Sequence, residues 1–213
     1  MRVLITGITG FVGSHLAEYA LNAGVEVIGT VRARSRDEHI EGFRRRLHLV
    51  ESDLRDASSV RSLLREIRPD WIVHLAAQSS VHASFHAPSE CVHNNIACQL
   101  NLLEGLRAEN LAPRFLAVGS SEEYGLVEEH ETPIAETHAL RPLSPYAVSK
   151  VAQDMLGYQY WKSYGIPVIR TRAERRNDPR LPDLTSAAGR HRRRPPGVLK
   201  DHNMQSYSPR RLA

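Results

Sequence analysis

The sequence is poor in the residues that staple small secreted folds and in the long apolar runs that cross membranes. Among 213 residues there are two cysteines, Cys91 and Cys98. That excludes a disulfide framework as the source of stability. Their seven-residue spacing puts both on one face of a helix, where they read as small buried hydrophobes. No apolar run is long enough to span a bilayer, and the opening Met1-Arg2-Val3-Leu4-Ile5-Thr6 reads as a strand and not as a signal peptide. A reducing cytoplasm and no membrane partner are expected. Metal-ligand spacing is also missing. His82 and His86 are i,i+4 and His93 follows, but no His-Glu-x-x-His and no cysteine-rich partner accompanies them, so no metal is expected. There is no internal repeat.

Acidic residues are scarce only near the C-terminus. Residues 174–213 hold ten Lys and Arg against four Asp and Glu, while residues 1–173 hold 18 against 20. The net charge of +4 is therefore a property of the last 40 residues. A basic tail can bind nucleic acid, but nothing else in the chain supports that, and no nucleic-acid partner is expected.

What is present is an alternation of strand and helix signals. Arg2 to Thr6 is a short apolar run with β-branched residues, a buried strand. It runs into Gly7-Ile8-Thr9-Gly10-Phe11-Val12-Gly13, and a helix follows that Gly24 stops. Strand, glycine turn and helix form a context for binding a dinucleotide pyrophosphate: glycines let backbone approach closely, and the helix N-terminus offers free N–H groups. The spacing is G-x-x-G-x-x-G, and the plainer alternative is a flexible strand–helix loop. A second strand over 25–30 ends in Thr30-Val31-Arg32-Ala33-Arg34, without the Asp or Glu that bonds a ribose 2′-hydroxyl. Arg32 or Arg34 can hold a 2′-phosphate instead, which favours NADP(H) over NAD(H); the alternative is a solvated basic loop. A third strand over 47–50 leads to Ser52-Asp53-Leu54, where Asp53 either meets an adenine amino group or serves as a turn or cap residue. A helix over 56–67 and a strand over 71–75 follow, opening into Ala76-Ala77-Gln78-Ser79-Ser80. A long helix over 89–109 carries Asn94 and Asn95, placed for structural bonds near a cofactor. Alternating apolar strands and helices imply an α/β fold, a Rossmann-like doubly wound parallel sheet.

The fifth strand, over 115–119, ends in Ser120-Ser121-Glu122-Glu123-Tyr124-Gly125, at the sheet edge where open α/β folds bind ligands. Ser120 can bond a substrate oxygen and Glu122 can abstract a proton; their plainer readings are a strand-end cap and a solvated charge. Pro145-Tyr146-Ala147-Val148-Ser149-Lys150 then places a phenol and an ammonium one turn apart on one helix face. A nearby ammonium favours phenolate, so Tyr146 is expected below its usual range and suited to carbonyl/alcohol chemistry. That helix runs to Tyr164, Gly165 ends it, and a sixth strand covers 167–171.

Glycine turn, Ala76-Ala77-Gln78-Ser79, strand-end Ser120-Ser121 and Tyr146-x-x-x-Lys150, in that order, resemble the extended short-chain dehydrogenase/reductases of the NAD-dependent epimerase/dehydratase family, which act on nucleotide sugars. The resemblance covers residues 1–173. Gly119-Ser120-Ser121-Glu122-Glu123-Tyr124-Gly125 and Arg141-Pro142-Leu143-Ser144-Pro145-Tyr146 look most like the GDP-mannose branch, which holds a 4,6-dehydratase and the reductase of its keto product. Gly10-Phe11-Val12-Gly13-Ser14 is more similar to the reductase.

The resemblance implies Tyr146 as general acid, Lys150 bonded to the nicotinamide ribose, Ser120 orienting the sugar oxygen, and Glu122 at the position of the dehydratase glutamate. It implies cofactor contacts at Gly7, Gly10, Phe11, Val12, Gly13, Arg32, Asp53, Leu54, Leu75, Ala76 and Ala77, a GDP-sugar substrate, and a homodimer through the helices near 90–109 and 145–164. The expected reaction is reduction of a C4 ketone with NADPH; dehydration, or a catalytically dead cofactor-binding fragment, is the alternative. After Arg172-Ala173 the family would continue with a substrate-binding half. This chain continues with Glu174-Arg175-Arg176-Asn177 and then arginine- and proline-rich sequence without periodicity. The expectation is a frameshift or truncation near residue 173, leaving a cofactor-binding domain over 1–173, a disordered or out-of-frame tail over 174–213, and most of the substrate-binding half missing.

Overall fold

The computed structural model describes residues 1–172. The expected tail over 174–213 lies outside the described residues. Six strands form one parallel sheet: β1 (Arg2–Thr6), β2 (Glu26–Val31), β3 (His48–Glu51), β4 (Trp71–His74), β5 (Arg114–Val118) and β6 (Val168–Thr171). Their order is β3-β2-β1-β4-β5-β6 and every neighbouring pair is parallel. This is the Rossmann-like order. The chain reverses direction of growth between β1 and β4, which opens a crevice beyond their C-terminal ends.

The sheet's burial follows strand alternation. Leu4, Ile28, Ile72 and Phe115 point to one face, where they pack against helices α2 (Ala57–Ile67), α4 (Pro88–Ala108) and α5 (Pro145–Tyr164) through Val60, Leu64, Leu102, Leu103 and Tyr160. Val3, Ile5, Val27 and Val73 point to the other, against Ala17 and Ala20 of α1 (Phe11–Asn22). Both faces of β1 are buried, which is why its sequence reads as a continuous apolar run. Each such side chain stabilises the fold by roughly 1.5–3 kcal/mol relative to exposure. On the α1 face the described residues leave the far edge of the sheet thinly covered. Leu116 and Val118 are half-buried, and Ile169, beside Leu116 in register, is 44 % exposed.

The helix ends are set by local chemistry. The Asp56 carboxylate accepts from Ser58 N–H at 2.8 Å and starts α2. Ser144 accepts from Ala147 N–H at 3.1 Å, Pro145 occupies the first turn of α5, and Gly165, at φ 71°, closes it. The expected elements are all present, with ends shifted by a residue or so. Four were not expected: 3₁₀ stretches over Glu38–Arg46, Ser121–Tyr124 and Glu129–Glu131, and a short helix α3 (Val81–His86). All are too short or lack the apolar periodicity that marks a longer element. Among the described residues no helix is long and apolar enough to cross a membrane.

Candidate functional site

The crevice is bounded by the glycine turn after β1 and the Leu75-Ala76-Ala77 segment after β4. These two backbones touch. A Cβ on Gly7, whose φ is 70°, would sit 2.9 Å from Ala76 N. A Cβ on Gly13 would overlap Gly7 O and lie 2.8 Å from Ile8 Cα. Both positions therefore need glycine for packing alone, and the backbone they free faces the crevice. The N-terminus of α1 is unspent: Gly10 is the cap, no side chain caps it, and no acidic residue occupies the first turn. Phe11 and Val12 there are 65 % and 58 % exposed. A cradle that added side chains would fill, beside an uncapped helix N-terminus, fits a pyrophosphate.

Next to it lies a cleft of about 410 Å³ lined by Thr9, Gly10, Arg32, Arg34, Ser35, Arg36, Glu38 and His39. Sequence reasoning named Arg32 and Arg34; Arg36 joins them because the chain turns back, with Arg32 N–H donating to Ser35 Oγ at 2.8 Å. Asp53 is otherwise engaged. Its carboxylate accepts from Arg55 Nε at 3.0 Å and Nη2 at 2.8 Å, and that guanidinium holds its pKa at about 2. Asp53 also accepts from Arg55 N–H at 3.0 Å, a turn contact. Leu54 is a core residue whose carbonyl accepts from Asn101 Nδ2 at 2.9 Å.

At the C-terminal end of β5, Ser120, Tyr146 and Lys150 converge. Tyr146 and Lys150 are 8 % and 5 % exposed, packed on the inward face of α5. Lys150 Nζ donates to Val118 O at 2.8 Å, which aims the ammonium across the strand end. The Ser120 hydroxyl lies beside the Tyr146 phenol and accepts from Glu122 N–H at 3.3 Å. The expectation of a lowered Tyr146 is corrected here. Burial is the largest influence and raises its pKa, the neighbouring Ser120 hydroxyl opposes that, and the Glu122 and Glu123 carboxylates add to the rise. Lys150 sits 5.9 Å from the ring centroid and spends its bond on Val118, so burial prevails. Lys150 itself is lowered to about 8 by burial, against the pull of Glu123 and Cys91. Glu122 is exposed on the turn, whereas its neighbour Glu123 is fully buried.

Burial of the Lys150 ammonium penalises the folded chain below about pH 8, and the penalty eases as pH rises toward the free-lysine value of 10.5. This group alone makes stability rise over that window. Its donor function runs the other way: loss of the ammonium between pH 8 and 9.5 is expected to weaken NADPH binding by about tenfold, one charged hydrogen bond. Fluorescence titrations across that range check it, with Lys150→Met expected to abolish the pH dependence.

Other residues escaped sequence reasoning. His74 is buried between Thr6 Oγ1, 2.8 Å from its Nδ1, and the Gln153 amide, 3.3 Å from its Nε2. Burial lowers its pKa to about 3, so it is a neutral brace and not a proton carrier. A polar residue at the end of an otherwise apolar strand was the available signal. Asn95, which was noted, is fully buried, accepts from Gln78 N–H at 2.8 Å and donates to Ser149 Oγ at 2.9 Å, tying the β4 loop to α5. Cys91 and Cys98 are both buried on α4, as expected. The His82 and His86 rings meet at a 59° tilt with centroids 4.8 Å apart. No cluster of three or more His, Cys, Asp or Glu suited to a metal occurs among the described residues.

Comparison with known proteins agrees with this geometry. Residues 4–186 match the family model described as GDP-mannose 4,6 dehydratase. The GDP-mannose 4,6-dehydratase of Vibrio cholerae is 38 % identical over 178 residues, which is 78 % of this chain and 47 % of that protein. The chain thus spans about half the length of the curated relatives it matches. Among solved structures, Thermus thermophilus UDP-glucose 4-epimerase, in complex with NAD, superposes with a TM-score of 0.72 at 36 % identity, covering 81 % of this chain and 54 % of that one. The Pseudomonas aeruginosa RMD, complexed with NADPH, gives 0.66 at 32 %, covering 81 % and 52 %.

Proposed function

We propose, for a chain that belongs to the GDP-mannose 4,6-dehydratase family of nucleotide-sugar enzymes, the role of an NADP(H)-binding half that works on a GDP-bound hexose at C4. When bound, NADPH supplies the hydride. The chain's own residues do the rest. The uncapped α1 N-terminus and the Gly7–Gly13 backbone bind pyrophosphate, and Arg32, Arg34 and Arg36 hold a 2′-phosphate. Lys150 bonds the ribose. Ser120 Oγ orients the sugar C4 oxygen, and Tyr146 Oη gives its proton to that oxygen as it gains charge, its O–H bond breaking as the new one forms.

The observation that supports proton donation at C4 is the placement of Tyr146: it is 8 % exposed on α5 at the C-terminal end of β5, beside Ser120, and burial raises its pKa, so the phenol holds its proton. Dehydration is the second reading. The names of the relatives favour it, and so does Glu122, whose exposed carboxylate on the same turn can take the C5 proton once C4 is oxidised. Product analysis separates the two: NADPH consumption with a GDP-4-keto-6-deoxyhexose supports reduction, and ketosugar formation from GDP-mannose supports dehydration. If the chain binds NADPH but turns over neither substrate, it is a cofactor-binding fragment.

The NADP(H) preference has its own test. Arg32→Ala is expected to weaken NADPH binding by about 10- to 100-fold through loss of charge-assisted bonds to the 2′-phosphate. NADH binding should be unchanged. Equal losses for both cofactors would remove the arginine cleft from this reading.

A further inference from the structure

Ser149 stands on α5 between Tyr146 and Lys150 and is fully buried. Its hydroxyl has two partners. Oγ accepts from Asn95 Nδ2 at 2.9 Å and donates to Tyr146 O at 2.6 Å. By helix geometry that carbonyl also closes the turn from Tyr146 to Lys150. The directions of these bonds are fixed from the far end. Asn95, on α4, pairs with the peptide groups of Gln78: Oδ1 accepts from Gln78 N–H at 2.8 Å, and Nδ2 donates to Gln78 O at 3.2 Å. A backbone N–H only donates and a carbonyl only accepts, so the Asn95 amide cannot be turned over. Asn94 Nδ2 fills the second site on Oδ1 at 3.1 Å. Asn95 therefore offers Ser149 a proton, and the Ser149 proton goes on to Tyr146 O.

These links join the two sides of the site. Gln78 follows Leu75-Ala76-Ala77, which bounds the crevice after β4, and Tyr146 and Lys150 stand at the end of the neighbouring strand β5. A buried polar network whose members are all satisfied is rigid, so the spacing between the β4 loop and the Tyr146–Lys150 turn has little freedom. The packing of α4 on α5 does not depend on Ser149. One turn further along, Gln99 Nε2 donates to Gln153 O at 2.7 Å and Gln153 Nε2 to Asn95 O at 2.9 Å, and Leu102, Leu103 and Tyr160 share one apolar cluster. Loss of the Ser149 hydroxyl therefore loosens one turn and leaves the helix pair together.

We propose that Ser149 is a positioning residue: with Asn95 it sets the spacing between the β4 loop and the Tyr146–Lys150 turn, and with that spacing the seat of the nicotinamide riboside half of the cofactor. The consequence for the cofactor rests on the functional reading above; the spacing itself is tested on the ligand-free chain. Ser149 is 0 % exposed, so it acts through Tyr146 and Lys150 and not on cofactor or sugar directly. The adenosine half, at the glycine turn and the arginine cleft, lies outside its reach.

Two ligands divide the outcome: NADPH, and adenosine 2′,5′-bisphosphate, which has the adenosine and the 2′-phosphate but no nicotinamide riboside. Ser149→Ala is expected to weaken NADPH binding by about tenfold, the worth of one hydrogen bond, and to leave the bisphosphate within about twofold. In the ligand-free chain, hydrogen exchange of the Gln78 amide is expected to speed up by about tenfold while the amides of β1 keep their rates. A purely structural Ser149 would lower thermal stability and speed all core amides together, without parting the two ligands. Equal losses for both ligands, an unmoved NADPH affinity, or an unmoved Gln78 amide overturns the inference. Should Ser149→Ala not fold, Ser149→Cys serves: the thiol nearly keeps the volume and is only a weak donor and acceptor, so the same division is expected at about threefold. A parent chain that binds neither ligand strikes the cofactor reading and the seat with it, and the Gln78 exchange then decides the spacing alone.

Discussion

Gly13→Ala is expected to weaken NADPH binding by at least about 100-fold, roughly 3 kcal/mol, the worth of one to two charged hydrogen bonds from backbone to pyrophosphate. The argument is steric. The new methyl would overlap Gly7 O and press on Ile8 Cα, and both are backbone atoms with no flexible end to swing aside. Relief requires α1 to move away from the turn. That movement withdraws the N-terminal N–H groups from the crevice, and it costs the fold about 1–3 kcal/mol as well. Gly42→Ala is the control, since nothing lies within 4 Å of a Cβ there; it should change neither binding nor melting temperature. Fluorescence titration and thermal denaturation of the three proteins decide the matter. Binding by Gly13→Ala within threefold of the parent would show that the glycine turn is not where the cofactor sits.

The second large effect belongs to Tyr146→Phe. Turnover of the GDP-sugar is expected to fall by about 10²- to 10⁴-fold, the usual worth of a general acid, while NADPH affinity stays within twofold or so. Phenylalanine keeps the ring that fills the inward face of α5 and removes only Oη. Ser120 Oγ keeps its bond from Glu122 N–H at 3.3 Å. The change in stability is therefore expected to be small, about 1 kcal/mol. Steady-state kinetics with a binding titration check both halves. An equal loss of affinity and turnover would mean that Tyr146 organises the cofactor and does not donate the proton.

Residues 1–172 show how the two levels of information divide. The strand and helix sequence was legible because each buried strand is a short apolar run and α1, α2 and α5 carry stop or start signals: Gly24, Asp56, Ser144-Pro145, Gly165. The glycine turn was legible because only glycine tolerates the contacts at positions 7 and 13, so the sequence records the packing directly. The pairing of Tyr146 with Lys150 was legible because four residues make one helical turn.

What the amino-acid order left open was whatever depends on residues far apart along the chain. Whether Tyr146 would be lowered or raised depends on how deeply α5 packs and where Lys150 Nζ finds its acceptor, and that acceptor, Val118 O, is 32 residues away. Arg172 looked like the end of a strand before the resemblance fades, yet it grips Glu123, Tyr124, Glu136 and Asp154, between 18 and 49 residues distant. Helical and strand periods are local and leave a mark in the sequence. Burial and charge pairing are set by which elements the sheet order brings together, and that is decided only when the chain has folded.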